Sequence, residues 1–492
     1  MVVSLLLGVP AAVGLWLVTG GRMLPARAAR AVTAAATGSA LVLAVVLAVM
    51  RTGVDRPWLP DLGVRWSFGV DGISVPLVLL TASVGVLLAA HAWVDLPQGG
   101  TPATFLGCLL LVEAGALATF TARDAVLFFV AFELVLVPMW VLVSRYGDPR
   151  DARARADAAH RFVLYTAVGS TLMLVGILVL VGAAGTSDLG ELVAVGSTLP
   201  AGTQLLAAAL MTAGLAVKVP VFPVHTWLPP AHTIAPTAGS VLLAAVLLKM
   251  GTYGLVRLPV ATLPDAFARL SPLLAVLGVV GIVWGGLVCL VERDLKRLIA
   301  YSSVGHMGFV VLALAAGSET GLQAALFANI AHGVVSALLF VLVGGLKQRW
   351  GSVDLTVPRP ALRETSPRLG FVLVLGLAAT LGLPGLAGFW GEFLAVYAAV
   401  DPAADRPRAL FVGCAVAAAA GAALAAAYAL RVARVVWVGD RPDPDVTPTP
   451  DTVGIERVVL GALAASVVVL GVLPMTVLSV TADTVARLGG AR

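Results

Sequence analysis

Four charged side chains lie inside long apolar runs of the chain. Lys218 is in "GLAVKVPVFPVHTWLPPAHTIAP" and Lys249 is in "LLAAVLLKMGTYGLVRL". Glu133 is in "VAFELVLVPMW", and Glu392 follows the glycine-rich "LGLPGLAGFWG". A charge in the middle of a bilayer costs about 3 kcal/mol on insertion scales, and such residues usually mark an ion or proton pathway. The four residues therefore predict a path for protons through a membrane protein.

Lysine usage supports a path that depends on loss of a proton. The chain has 28 arginines but only four lysines, and two of these are Lys218 and Lys249. Arginine keeps its proton in proteins, whereas a buried lysine can release it. A nearby carboxylate such as Glu133 favours the charged form of Lys218. A change in the distance between Glu133 and Lys218 would therefore load or unload a proton.

Two histidines extend this set of groups. His306 lies in "AYSSVGHMGFVV" and His332 in "ANIAHGVVSALLF". Asn329 and Ser336 share a helix face with His332 at spacings of three and four residues. Imidazole near neutral pH can both accept and donate a proton, as a relay requires. We therefore predict a proton relay of Glu133, Lys218, Lys249, His306, His332 and Glu392.

Packing, snorkelling and metal binding are the alternatives to a role of these residues in proton transfer. Glu113, in "LLLVEAGALATF", and His225 are weaker candidates for which a hydrogen-bonded packing role is an alternative. Snorkelling of the two lysines is disfavoured because both lie far from a span end. HxxxH and HExxH spacings are missing, and prolines separate His225 from His232, so we predict no metal site. Redox and phosphate-binding motifs are also missing, so we predict no cofactor in this chain.

The composition indicates a membrane protein. Hydrophobic residues make up 59% of the 492 residues and charged residues 12%, whereas soluble domains carry about 25% charged residues. The net charge of +5 is modest, and nucleic acid is not an expected partner. The first twenty residues lack a basic segment before their apolar run and are interpreted as a first span.

Apolar runs of about 20 residues predict an all-α polytopic membrane protein. The whole chain, residues 1–492, is expected to form a single integral membrane domain. Fourteen spans are predicted near residues 2–20, 32–50, 72–94, 103–121, 125–144, 161–183, 203–222, 238–257, 271–291, 298–316, 321–346, 370–397, 408–433 and 456–480.

Orientation follows from the basic residues in the connections. Outside the two intramembrane lysines, 20 Lys and Arg fall after odd-numbered spans and 10 on the other side. The odd-numbered connections are therefore expected to face the cytoplasm. Both termini are predicted to lie on the outer side.

Two predicted spans contain helix-breaking residues. Pro220 and Pro223 interrupt the seventh, and Pro384 lies among glycines in the twelfth. Interrupted spans at corresponding positions of two halves indicate an internal repeat with the ion path near the breaks. We predict two inverted five-helix repeats, spans 4–8 at residues 103–257 and spans 9–13 at residues 271–433.

Several motifs resemble one known family, the antiporter-like subunits of respiratory complex I and of multi-subunit sodium/proton antiporters. The resemblance covers nearly the whole chain and is carried by "DGISVPLVLLT", "FELVLVPM", "KVPVFPVHTWLPPAHTIAPTAGSVLLAAVLLKMGTYG", "RDLKRLIAYSSVGHMGF", "LFANIAHGVVSALLF" and "GLPGLAGFWGEF". It implies fourteen helices, with the seventh and twelfth broken. It also implies that Glu133 tunes Lys218, that Lys249 is the central relay, that His306 and His332 bridge the halves, and that Glu392 releases the proton outward.

Glu392 matches the family member in the middle of the membrane arm of complex I, whereas other members carry lysine there. The implied partners are antiporter-like subunits on both sides, the lipid bilayer, protons and internal water, and the implied location is a bacterial plasma membrane. NADH and quinone would bind other subunits of the complex. The alternatives are a subunit of a stand-alone sodium/proton antiporter, a scaffold that moves no ions, and a solute transporter.

Overall fold

A computed structural model of the protein describes residues 1–60, 63–439 and 449–490. Thirteen of the described helices are long and apolar enough to cross a membrane, so the chain is a multi-pass membrane protein. The helices in the N-terminal half are α1 Val2–Thr19, α2 Ala26–Met50, α3 Ser74–His91, α4 Pro102–Thr121, α5 Ala125–Tyr146, α6 Ala152–Ala184, α7 Leu189–Val195, α8 Ala201–Lys218, α9 Leu228–Ile234 and α10 Thr237–Val260.

The C-terminal half is also helical. Its helices are α11 Pro264–Val291, α12 Leu295–Ala316, α13 Glu319–Trp350, α14 Leu362–Thr365, α15 Pro367–Thr380, α16 Ala387–Val400, α17 Arg408–Val438, α18 Gly454–Val472 and α19 Met475–Gly490. Each of the fourteen predicted stretches overlaps a long helix, except 370–397, which is divided between α15 and α16. The count of fourteen crossings and the inverted repeats stay predictions.

The chain forms two compact units. The first contains residues Met1–Pro220, Ile234–Pro272 and Val480–Arg492, and the second contains Val221–Thr233 and Leu273–Ser479. In the first unit, α6 and α8 meet at glycines, since a Cβ on Gly169 would lie 2.8 Å from the carbonyl oxygen of Gly214. In the second unit, α13 is buried along its membrane-length segment. Burial along the whole of this segment places α13 at the centre of a packed bundle.

A β-hairpin that we did not predict follows α2. Its strands, β1 Val54–Leu59 and β2 Val64–Phe68, are antiparallel and pair Val54 with Phe68. Polar and apolar residues do not alternate clearly in β1, whose side chains are mostly exposed. The hairpin is anchored instead by Asp124, which accepts a hydrogen bond from the backbone N–H of Arg65.

Asp124 also fixes the start of α5. One carboxylate oxygen accepts the backbone N–H groups of Val126 and Leu127, both at 2.9 Å. The other oxygen is bonded to the hydroxyl of Ser187, in the connection after α6. Asp is a preferred N-cap because its side chain satisfies backbone donors that the first helical turn leaves open. This residue therefore joins three connections on one side of the first unit.

The two segments with helix-breaking residues, one rich in proline and one in glycine, both interrupt helices. Helix α8 ends at Lys218, and regular helix resumes only at Leu228. In the second unit, residues 381–386 separate α15 from α16. Gly382 and Gly385 in this segment have φ values of 66° and 88°, a backbone conformation that glycine adopts without a steric penalty. The breaks predicted from Pro220, Pro223 and Pro384 are therefore present in the structure.

Candidate functional site

Lys218 is the last residue of α8 and its side chain is only 2% exposed. The Nζ atom lies 4.9 Å from the ring centroid of Phe132 and 5.9 Å from that of Phe162. It has no hydrogen-bond partner among the described residues. Aromatic faces therefore stand where a hydrogen-bond acceptor would normally lie, which is a weak arrangement for a buried ammonium group.

Glu133 supplies a negative charge near this amine. It lies in α5 just before an irregularity of the helix at Val135. Its charge attracts Lys218, but no direct hydrogen bond holds the two groups together, and Oε1 of Glu133 is buried without a hydrogen-bond partner in the described structure. The structure therefore places Glu133 and Lys218 in one electrostatic site with no fixed contact between them.

Lys249 lies in the middle of α10 and is fully buried, with 0% exposure. Its Nζ donates a hydrogen bond of 2.8 Å to the carbonyl oxygen of Ala244. Ala244 belongs to a π-helical segment, Leu243–Leu247. Such widened turns occur frequently at functional sites, because they displace backbone groups from the regular helical pattern.

Glycines bring α10 against the end of α8. A Cβ on Gly251 would lie 3.0 Å from the Cβ of Lys218, and one on Gly254 would lie 2.6 Å from Leu215. A larger residue at Gly251 would press on the backbone at the end of α8, whereas one at Gly254 would displace the Leu215 side chain. At Gly251 this close approach is made to Lys218 itself.

Glu113 occupies a separate position in the first unit. Its side chain is buried in α4, and the carboxylate lies where a Cβ on Gly85 of α3 would sit. Its Oε1 has no hydrogen-bond partner among the described residues. No described contact joins Glu113 to Lys218 or Lys249, so its part in a relay stays a prediction.

In the second unit, His306 and Glu392 form a direct pair. His306 Nδ1 lies 2.7 Å from Oε1 of Glu392, and the two side chains are 16% and 13% exposed. The ring of His332 lies 5.7 Å from that of His306, centroid to centroid. The structure therefore brings together three of the residues that the sequence singled out, on α12, α13 and α16.

Small cavities adjoin this group. One of about 30 Å³ is lined by His306, His332 and Glu392 together with Thr380. Another of about 20 Å³ extends from His306 and Glu392 to Tyr428. A cavity of about 10–15 Å³ or more can hold a water molecule when polar groups are available to bind it. Each cavity therefore has room for a water that could carry a proton.

The helix break before α16 positions Glu392. A Cβ on Gly382 would lie 2.9 Å from Oε2 of Glu392. On the opposite side, a Cβ on Gly391 would lie 2.7 Å from the Cβ of Ala328 in α13. Glycines at both positions allow the carboxylate to fold back on the break while α16 packs closely against α13.

Comparison with known proteins identifies the family to which the chain belongs. Residues 122–415 match the model of a family described as NADH:quinone oxidoreductase/Mrp antiporter, TM. The chain belongs to this family. The matched segment includes all six of the main relay candidates, from Glu133 to Glu392, and also His225, but not Glu113.

Individual members of the family agree with this assignment. NADH-quinone oxidoreductase subunit M of Rhodobacter capsulatus is 36% identical over 88% of this chain and 83% of its own length. NAD(P)H-quinone oxidoreductase chain 4 1 of Synechococcus sp. (strain JA-3-3Ab) is 41% identical over 78% of this chain and 71% of its own.

Two solved structures have the same fold as this chain. A chain of respiratory complex I from Thermus thermophilus with bound NADH superposes with a TM-score of 0.87 and 30% identity, covering 100% of both chains. A chain of the Mrp complex from Dietzia sp. DQ12-45-1b gives a TM-score of 0.85 at 22% identity, covering 99% of this chain and 97% of that one. The second likeness is one of fold alone.

Two serines precede His306 by about one helical turn, and Ser302 lines one of the small cavities beside it. The hydroxyls of Ser302 and Ser303 both donate to the carbonyl oxygen of Ile299. They satisfy the backbone of their own helix, as serine does in apolar surroundings. His306 takes its partner from Glu392 instead.

His225 is buried apart from the His306 pair. Its ring stacks on Phe222 at 5.5 Å between centroids and meets Tyr301 edge-on at 6.5 Å. Its Nδ1 has no hydrogen-bond partner in the described part of the chain. These contacts are those of an aromatic packing residue, and a role for His225 in proton transfer stays a prediction.

Sequence reasoning missed two hydroxyl groups at the second-unit site, Tyr428 and Thr380. Tyr428 is buried and lines the cavity that also contacts Glu392. A signal for it was available, because Tyr428 is the one polar side chain in the alanine-rich run "AVAAAAGAALAAAYAL". Thr380 gave no such signal, since its position depends on the break between α15 and α16.

Proposed function

We propose that this chain is a proton-translocating, antiporter-like membrane-arm subunit of a respiratory complex I. It occupies the middle position in the arm, with antiporter-like subunits on both sides. NADH oxidation and quinone reduction take place on other subunits, and the energy that they release drives proton export through this one. Family membership and the similarity to subunit M of Rhodobacter capsulatus support this function.

The observation that carries the proposal is the environment of Lys218. A buried amine without a hydrogen bond, held by aromatic faces and by the charge of Glu133, has a proton affinity that depends on small movements. Burial disfavours the ammonium form and a carboxylate favours it. A displacement of Glu133 therefore releases the proton of Lys218, and its return reloads the lysine.

The released proton passes to Lys249 and then to the histidines of the second unit. His306 holds Glu392 through a 2.7 Å contact, so a proton that reaches the imidazole lies next to the carboxylate. Glu392 delivers the proton to the outer side. Both chain termini lie on that side, in a bacterial plasma membrane, as the distribution of basic residues favours.

The alternatives are less well supported. If the chain were a scaffold that moves no ions, nothing in its function would explain the free-energy cost of placing Glu133, Lys218 and Lys249 inside the membrane. A stand-alone sodium/proton antiporter subunit shares the fold. By the family resemblance, however, such subunits carry lysine at the position of Glu392. The similarity to subunit M over 88% of this chain favours complex I.

The test is Lys218→Ala in membranes that contain the assembled complex. Proton pumping and NADH-driven quinone reduction are measured together, with assembly followed on native gels. We expect a complex that assembles but loses both activities, because redox turnover is coupled to the proton path. Lys347→Ala, at the C-terminal end of α13, is the matched control and is expected to behave like the wild type. Wild-type activities in the Lys218→Ala complex would contradict the proposal at its first step.

A further inference from the structure

A larger cavity lies in the first unit, away from the relay residues described so far. It has a volume of about 210 Å³, enough for several water molecules, since one water occupies about 30 Å³ in the liquid. Arg123 and Gly190, which are exposed, form its mouth, and Tyr253, which is 2% exposed, forms its floor. Charged groups line its wall, so the cavity is suited to water.

The floor of the cavity is one helical turn from Lys249. Tyr253 follows Lys249 by four residues on α10, so both side chains share one face of the helix. The Tyr253 hydroxyl donates a 3.0 Å hydrogen bond to the carbonyl oxygen of Phe120. Its ring packs edge-on against Phe120, with centroids 5.4 Å apart, and lies 6.2 Å from Phe128. The tyrosine is therefore held at both its polar end and its apolar faces.

Arg257 covers the cavity side of this ring. Its guanidinium carbon lies 5.0 Å from the Tyr253 centroid, in a cation–π arrangement. The same guanidinium is paired with the carboxylate of Asp71. Asp71 in turn accepts the backbone N–H groups of Ile73 and Ser74 at the start of α3. A chain of contacts thus fixes Arg257 over the tyrosine.

The charge of Asp71 is secure. Burial raises the pKa of this carboxyl group, but the Arg257 charge and hydrogen bond outweigh burial and lower the pKa to about 2. The ion pair therefore persists at every pH at which a respiratory membrane works. A pair of this kind is suited to a permanent structural contact rather than to a step of proton transfer.

We propose that Tyr253, Arg257 and Asp71 form a seal that separates Lys249 from the water of this cavity. The proposal rests on the proposed function, in which Lys249 carries a proton. An amine that both receives a driven proton and touches outside water would let protons flow back. The clamped ring prevents this, so that Lys249 exchanges protons only with interior groups.

The seal is tested by passive proton leak in vesicles that contain the purified whole complex. A membrane potential is imposed with potassium and valinomycin, NADH is omitted, and proton entry is followed with an internal pH-sensitive dye. We expect Tyr253→Ala to raise the entry rate several-fold and to lower the protons pumped per NADH, while NADH oxidation continues. Tyr253→Phe, the matched control, keeps the ring and is expected to leak far less than Tyr253→Ala.

Three further variants, one single and two double, make the result specific. Arg257→Gln removes the cover of the ring without removing the ring, and it is expected to leak less than Tyr253→Ala but clearly more than the wild type. It also carries the test if Tyr253→Ala fails to assemble. Adding Lys249→Ala to either leaking variant is expected to abolish the leak, because the proton no longer has a carrier behind the opening.

Two outcomes would overturn the seal. One is an assembled Arg257→Gln or Tyr253→Ala complex that is as tight as the wild type. The other is a leak that persists after Lys249→Ala, which would mean that protons bypass this lysine. Neither outcome affects the result expected for Lys218→Ala, so failure of the seal and failure of the proposed function are distinguishable.

Discussion

The two titratable sites of the molecule hold their charges in opposite ways. In the first unit, the amine of Lys218 has aromatic rings around it and a carboxylate that attracts it without a hydrogen bond. In the second unit, the imidazole of His306 is hydrogen-bonded to Glu392 at 2.7 Å, beside cavities large enough for water. One site lacks a fixed partner, and the other has one.

This difference indicates a division of labour. A charge without a hydrogen bond changes its proton affinity when a neighbour moves by a small distance, because the electrostatic attraction between the groups depends on that distance. A hydrogen-bonded pair holds its two groups within the distance at which a proton passes from one to the other. The Lys218 site is suited to sense a conformational change, and the His306–Glu392 site is suited to pass a proton on.

The largest effect on the difference between the two sites is expected when the positive charge at Lys218 is made permanent. Lys218→Arg keeps a positive side chain that pairs with Glu133 but holds its proton under all conditions. We expect proton pumping to be lost as completely as in Lys218→Ala, in a complex that still assembles. Native gels measure assembly, and dye quenching in membranes measures pumping. Pumping at the wild-type rate in Lys218→Arg would mean that the lysine contributes only its charge.

A substitution in the His306–Glu392 site is expected to reduce pumping less than a substitution of Lys218 does. Glu392→Gln keeps the shape of the side chain and can still hydrogen-bond to His306, but it cannot take up a proton. We expect pumping to fall about 100-fold, the lower range for loss of a positioned acid or base.

His306→Ala tests whether the pair acts as a unit. Since the two groups are in direct contact, the double variant is expected to be little worse than either single variant. Pumping rates of the four complexes, measured in the same membranes, give this comparison. Fully additive losses would show that His306 and Glu392 act independently.

The sequence predicted the first site better than the second. Lys218, Lys249 and Glu133 stand out because a charge in an apolar run is rare, and the prolines after Lys218 mark the end of its helix. The helices themselves follow from the length of the apolar runs. These signals are local in the sequence, so they can be recognised without knowledge of which segments pack together.

The second site depends on contacts between distant segments. The pairing of His306 with Glu392 joins residues on α12 and α16, and nothing in their spacing specifies it. The β-hairpin was missed for a similar reason, since its anchor is Asp124, far along the chain.

A smaller perturbation sharpens the role of the rings at Lys218. Phe132→Leu removes the nearer aromatic face, at 4.9 Å from Nζ, and leaves an apolar side chain in its place. A cation–π contact in a dry site is worth about 1 kcal/mol or more, so the charged form is disfavoured and reloading slows. We expect pumping to fall about fivefold, the equivalent of that energy. Phe162→Leu, which removes the ring at 5.9 Å, is the matched control and is expected to have a smaller effect; an equal effect would mean that packing alone matters.

The mildest change tests the close approach of α10 to the end of α8. In Gly251→Ala, the new methyl group lies 2.9 Å from Val219 and 3.0 Å from the Cβ of Lys218, so one helix has to move. Overpacking of this kind costs about 1–3 kcal/mol, and we expect this subunit to leave the complex at a lower temperature. Gly202→Ala, in α8 with open space around it, is the matched control and should be neutral or slightly stabilising. Because the helix that moves carries one of the two lysines, Gly251→Ala should also reduce pumping, though less than Phe132→Leu does. Normal pumping in a destabilised complex would show that the Lys218 site tolerates a shift of its backbone and responds only to the groups that face its amine.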